Sequence, residues 1–270
     1  MSGELKPPYL IRRARARREG SVSVTADVDA GVIEVAVRGR WSPSLRVEAW
    51  TAVTKCFVEH PLAVIVDLHD LDDPLASSAP AWWTMGITGA RLAPPVSVVV
   101  CLPLTTALTA RLNRLGAKRY LPVFTTLPDA RAAVAGRLPL TQRVRVHLPP
   151  QPGAVITAGA LIADACEAWQ LPRLRHPAGL IICELVDNAV KHAGTAVVAT
   201  VARRGAGIHL AVSDEDPRLP VVADPAPRGR HAWDEGSPGL RAVHAAATVW
   251  GAMPTATGKV IWAVVRPGPG

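Results

Sequence analysis

The sequence predicts a protein of the α/β (α+β) class in two halves, each a mixed sheet with covering helices. Three observations carry this. Continuous apolar runs of strand length, "LAVIVDL" (62–68) and "PVSVVVCLP" (95–103), alternate with helix-period segments through the first half. A Pro- and Gly-rich seam, "AGRLPLTQRVRVHLPPQPG" (135–153), then interrupts that order. Beyond it, two helical segments precede a run of antiparallel strands. With 270 residues, 49% apolar and 19% charged, the chain has the length for two cores and is not a disordered polymer. Aromatics are only 4%, so Ala and Val supply most of the filling.

The chain opens on a basic tail (1–19). Five arginines in "RRARARR" (12–18) account for more than half of the net charge of +8. A basic tail could touch nucleic acid, a membrane surface or an acidic partner, but a solvated disordered leader is the expectation. No apolar core follows it, so it is not a secretory signal. No uninterrupted apolar run reaches membrane-spanning length, which makes the cytoplasm the default compartment and a membrane partner unexpected. No basic stripe with interleaved aromatics follows, so no direct nucleic-acid contact is expected. Cys56, Cys101, Cys166 and Cys183 lack CxxC spacing and read as apolar fillers.

From residue 21, Val and Ile alternate on both sides of "DAG", a hairpin signal. "SPSLRVEAWTAVTKCFVEH" (42–60) is a helix opened by a Ser cap. After the strand 62–68 comes a helix over 78–92, then the strand 95–103. The segment 105–117 is a helix ended by Gly116, and 121–136 holds a short strand and a last helix. The order is ββαβαβαβα over 20–138.

That order, with the "VIVDL" strand, resembles the STAS domain of sulphate transporters and anti-sigma-factor antagonists. In antagonists of that family, the segment after this strand carries a phosphorylated Ser or Thr. The matching segment here is "HDLDDPLASSAPAWW", which makes Ser77 and Ser78 candidate phosphosites by resemblance. From the residues alone, the same pair reads as a helix N-cap.

The seam (139–153) holds one short strand, "RVRVHL", and is too short for a flexible tether. The last segment, 154–270, begins with a helix over 154–170, broken by "LPRLRHP". A second helix, "AGLIICELVDNAVKHAG" (178–194), ends at Gly194, where a left-handed cap fits. Ile181, Leu185 and Ala189 form its buried side. Glu184, Asn188 and Lys191/His192 lie one turn apart on another side. An Asn oxygen and a neighbouring carboxylate suit Mg²⁺, which keeps waters and takes one or two protein oxygens. Glu184 could deprotonate a hydroxyl. Ordinary polar residues on an amphipathic helix give the same spacing. Two strands around "RRGAG" follow, the second ending on Asp214. A long Pro/Gly-rich loop leads to "GSPGLRAVHAAATVWG" (236–251), glycines directly ahead of a helix, where amides can hold phosphate. "GKVIWAVVRP" (258–267) is the final strand.

This ordered set resembles the GHKL (Bergerat-fold, HATPase_c) ATPase superfamily, and most of all its anti-sigma-factor serine kinases. The resemblance implies an α/β sandwich, ATP and Mg²⁺ as cofactors, Asn188 as a Mg²⁺ ligand and Glu184 as the catalytic carboxylate. It implies that Asp214 accepts from the adenine amino group, and that Gly236, Ser237, Gly239 and Leu240 line the phosphates. Gly258 and Lys259 belong to the closing segment. Lys191 or His192 would reach a phosphate, or else complement the helix dipole.

Three departures stand out. Asp216-Pro217 replaces a glycine two residues after Asp214. Pro238 removes an amide donor from the phosphate loop. Val260 stands where relatives carry a Thr hydroxyl. Each costs about 1 kcal/mol of binding.

The function implied is an ATP/Mg²⁺-binding regulator of the anti-sigma serine-kinase type, acting in sigma-factor partner switching. Its partners would be a sigma factor, a STAS-type antagonist, or both; the sequence leaves a homodimer open. The alternative is a non-catalytic nucleotide-sensing or interaction scaffold. A histidine-kinase fragment would need a dimerising helix with a phosphoacceptor His before residue 154, where the chain is short and Pro-broken.

Overall fold

A computed structural model describes residues 8–11, 20–27, 30–93, 95–135, 142–220 and 238–267. The chain divides into two compact units, Ile11–Pro139 and Met1–Leu10 with Leu140–Gly270. Both are mixed α/β arrangements.

The strands of the Ile11–Pro139 unit are β2 (Gly20–Asp27), β3 (Val32–Arg40), β4 (Ala63–Asp67), β5 (Leu71–Asp72), β6 (Ser97–Cys101) and β7 (Val123–Phe124). The chain opens before them with β1 (Tyr9–Leu10), which belongs to the other unit. The helices are α1 (Pro43–Glu59), α2 (Ala79–Ala90), α3 (Ala107–Arg114) and α4 (Leu127–Ala135). The sheet order is β2-β3-β4-β6-β7, with β5 beside β3. Among the described residues, only the β2–β3 pairing of this sheet is antiparallel.

Parity decides which helix each strand residue meets. Val32, Ala63, Ile65, Val99 and Cys101 form one face and pack with Ala130 and Val134 of α4. The alternate residues Ile33, Val35, Val64, Val66, Val98 and Val100 are also buried. The helices α1 and α2 pack against strands of this sheet and against each other. The Ser42 hydroxyl accepts from the Leu45 amide at 3.2 Å, capping α1 as its sequence suggests.

The second unit contains β8 (Arg143–Leu148), α5 (Gly153–Ala168), α6 (Arg175–His192), β9 (Val197–Arg204), β10 (Gly207–Asp214), α7 (Pro238–Ala246), β11 (Val249–Pro254) and β12 (Lys259–Val265). Its sheet order is β1-β11-β12-β10-β9-β8, antiparallel except at β1–β11. The core joins Ile162, Ile181, Leu185 and Val243 of the helices to Val201, Leu210, Trp250 and Ala263 of the strands. Gly194 takes a left-handed φ of 62° just beyond α6, as the sequence predicts.

Three sequence expectations need correction. The tail was expected to be a solvated leader, yet Tyr9–Leu10 is a strand paired with Gly251 and Ala252. The Tyr9 carbonyl presses on the Gly251 Cα, where no Cβ fits. The helix expected after the glycines of 236–251 is α7, but the sequence reading names no strand after it: α7 ends at Ala246 and β11 begins at Val249. That strand is almost wholly buried, so it lacks the alternation that marks a half-exposed strand. Finally, α6 starts at Arg175 rather than 178, because Pro177 sits in its first turn, where a missing amide donor costs nothing.

Candidate functional site

Helix α6 packs against β9, β10, β12 and α7. Its apolar side, Ile181, Leu185 and Ala189, is in the core as the periodicity predicts. Glu184 and Asn188, one turn apart, are half-buried. The Glu184 carboxylate lies against the Gly239 Cα, so closely that a Cβ there would collide with it. This brings the carboxylate to the first turn of α7, where the positive helix end favours negative charge. Leu240 turns into the core beside Val243. Gly236 and Ser237 lie outside the described residues.

Lys191 is exposed and bonds the Asp187 carboxylate one turn back at 2.6 Å; that bond raises its pKa. His192 is exposed at the helix end. Both stand in the last turn of α6.

At the far ends of the strands, Asp214 and Lys259 stand directly opposite each other. Lys259 Nζ donates to Asp214 Oδ1 at 2.8 Å and to the Asp216 carbonyl at 3.1 Å. The Asp216 amide donates to Asp214 Oδ1 at 2.9 Å. Burial lifts the Asp214 carboxyl above its ordinary value, against the pull of Lys259. Arg218 bonds the Asp216 carboxylate and holds it down to about 2. Gly258 has the Asp214 carbonyl and Glu215 Cα pressed on it, so its missing side chain lets the β11–β12 hairpin close against β10. Thr255 and Gly258 tie that hairpin by two bonds of 2.9 and 3.0 Å.

In the other unit, Ser77 and Ser78 precede α2. Neither hydroxyl caps it. Asp73 instead ties the loop ahead of the helix, accepting from the Ser77 amide, the Ser77 hydroxyl and the Ser78 amide at 2.8–2.9 Å. Burial alone would raise the Asp73 carboxyl, but the serine bonds outweigh it and hold it below its ordinary value. Ser77 is exposed while Ser78 is fully buried. Of the two, only Ser77 is open to modification. Leu75, two residues before it, is 82% exposed. Asp73 was not singled out in the sequence, and its bonds four and five residues on carry no local motif.

The cysteines behave as fillers: Cys56, Cys101 and Cys166 are buried and Cys183 is half-buried. Burial pushes the Cys101 thiol up to about 12. Among the described residues no group of His, Cys, Asp and Glu could hold a metal ion by itself. No described helix is long and apolar enough to cross a membrane.

Fold and side chains define a two-unit mixed α/β protein. One unit has a carboxylate and an amide on adjoining turns beside a helix start, and the other has a serine loop tied to an aspartate. No model of a known protein family matches the chain, and no curated protein matches it. Among solved structures it is similar to an anti-sigma factor antagonist from Mycobacterium paratuberculosis, at 18% identity and a TM-score of 0.38. The match covers 44% of this chain and 97% of that one. A likeness of this size leaves the functional argument to the side chains.

Proposed function

We propose that the chain is a partner-switching regulator whose Leu140–Gly270 unit binds a metal-bound nucleotide triphosphate, of the anti-sigma serine-kinase type. One observation carries the proposal: the Glu184 carboxylate set against Gly239 at the start of α7, with Asn188 one turn on. Helical packing alone explains a polar outer face, but not a glycine kept bare for a carboxylate at a helix start.

The residues fit the phosphate end of such a ligand. Asn188 would offer its side-chain oxygen to Mg²⁺, which is content with one or two protein oxygens, so no metal-binding cluster is required. Glu184 would take the proton of a hydroxyl nucleophile. When bound, the nucleotide supplies the phosphoryl group. In the Ile11–Pro139 unit, exposed Ser77 and Leu75 support a surface that meets a partner protein, an anti-sigma factor or a sigma factor.

Isothermal titration of the full chain with Mg²⁺-ATP, repeated without Mg²⁺ and with Asn188→Ala, tests this. Metal-dependent binding that Asn188→Ala weakens at least about tenfold supports the site. Equal affinity in wild type and variant overturns it.

A second reading, a scaffold that binds partners without turnover, is favoured by Pro238 at the start of α7, which removes one amide donor from the phosphate loop. Labelled ATP incubated with STAS-type antagonist proteins separates the two. Phosphate on a serine supports the kinase, and binding without transfer supports the scaffold.

A further inference from the structure

Helix α3 of the Ile11–Pro139 unit has two unlike sides. Leu108 and Leu112 are buried. Ala107, Arg111 and Arg114 are exposed at i, i+4 and i+7, one stripe along the helix. Exposed leucines stand at both ends of that stripe: Leu104 ahead of the helix, 64% exposed, and Leu115 at its C-cap, 41% exposed. In the turn that follows, Arg119 lies over the Tyr120 ring at 5.3 Å, with Tyr120 37% exposed. Exposed leucines scattered singly call for no explanation, but three large apolar side chains set among three arginines on one short segment do.

The charge here has one sign. Between Asp73 and Asp129 the sequence holds no carboxylate, and its basic residues there are Arg91, Arg111, Arg114, Lys118 and Arg119. Among the described residues no carboxylate pairs with Arg111, Arg114 or Arg119; Arg111 Nη1 donates instead to the Leu75 carbonyl at 3.5 Å. Arg111 and Arg114 stand in the last turn of α3, where they suit the helix dipole. The dipole explains two cations, but not the leucines beside them or Arg119 beyond the helix.

Two kinds of partner answer a basic, partly apolar surface: an anionic bilayer and an acidic protein segment. A bilayer takes up the apolar face of a helix, and that of α3 is already in the core. The cations whose side chains are exposed are arginines, whose planar fork fits a carboxylate through two parallel bonds. Arg and Tyr are also side chains that anchor protein interfaces.

We propose that the α3 side of this unit docks an acidic, amphipathic segment of a partner protein, with carboxylates on Arg111, Arg114 and Arg119 and apolar side chains on Leu104, Leu115 and Tyr120. The inference deepens the partner-protein half of the proposed function and rests on it; the nucleotide site takes no part. An exposed ion pair is worth little by itself, so binding needs the charges and the apolar contacts together.

Random-sequence peptides displayed on phage, selected on the full chain at physiological salt, test this. The expected selection is rich in Asp and Glu with Leu-like residues between them. A selected peptide, labelled and followed by fluorescence anisotropy, is expected to bind Arg111→Glu/Arg114→Glu about tenfold or more weakly. It is expected to bind Leu104→Ser/Leu115→Ser about tenfold more weakly. All four positions are exposed, and urea midpoints near wild type confirm that both variants fold. Acidic peptides that bind wild type and the arginine variant equally are held elsewhere, as by the basic segment 12–18, and overturn the inference. Selected peptides without carboxylates also overturn it and leave a partner-binding unit standing. No selection at all overturns the partner reading, and the inference with it. Sedimentation with phosphatidylglycerol vesicles is expected to be alike for wild type and the arginine variant. Vesicle binding that the variant loses makes the bilayer the occupant and overturns the inference.

Discussion

Gly239 and Glu184 separate a packing role from a chemical one. An Ala methyl at 239 would meet the Glu184 carboxylate, which is the free end of a flexible side chain and can swing away. The same methyl against backbone would be far more costly. Gly239→Ala is therefore expected to change stability by less than about 1 kcal/mol, since Ala also favours the helix. It is expected to displace the carboxylate. Thermal melts should stay near wild type, while any phosphoryl transfer to a serine substrate falls about a hundredfold, matching Glu184→Gln. A Gly239→Ala protein with full transfer would remove Glu184 from the chemistry. A protein that melts far below wild type would make Gly239 a packing residue only.

At the scale of elements, Gly89 of α2 gives the opposite balance. A Cβ there would lie 2.6 Å from the Val96 carbonyl and 2.8 Å from Val98 Cγ2, and neither is the end of a flexible chain. The helix would gain about 1 kcal/mol in propensity but lose about 1–3 kcal/mol to overpacking. Gly89→Ala is expected to lower the urea midpoint at unchanged slope, a net loss of up to about 2 kcal/mol. Elements whose signal is local were legible in the sequence. The strands β4 and β6 appear as continuous apolar runs, and the buried side of α6 follows from the spacing of Ile181, Leu185 and Ala189. What was hidden depends on partners distant in sequence. Tyr9–Leu10 is a strand only because β11 lies beside it, and two residues carry no period. The Lys259–Asp214 pair needs the β10–β12 register, which brings together residues 45 apart. The Glu184–Gly239 contact was readable only as two separate motifs, one on each helix.

On the scale of the whole chain, two units with separate sheets carry titratable ties of opposite sign. In the Ile11–Pro139 unit, His69 bridges the Asp67 carboxylate at 2.6 Å and the Thr125 carbonyl at 2.8 Å, joining the end of β4 to the segment after β7. The Asp67 bond raises the His69 pKa above 6.5, so the folded unit favours the charged ring. The stability this gives is fully present below the ordinary His value and is lost as pH rises through the raised one. In the other unit, Asp216 is held down to about 2 by Arg218. Its contribution is present above the ordinary carboxylate value and is lost as pH falls toward about 2. Calorimetry of the full chain should thus find a transition that moves down as pH rises above the ordinary His value of about 6.5 and another that moves down between about pH 4 and 2. His69→Gln is expected to flatten the first and spare the second, which assigns each to its unit. A wild-type first transition that does not move as pH rises above the ordinary His value would mean that the His69 bridge is neutral in the folded protein.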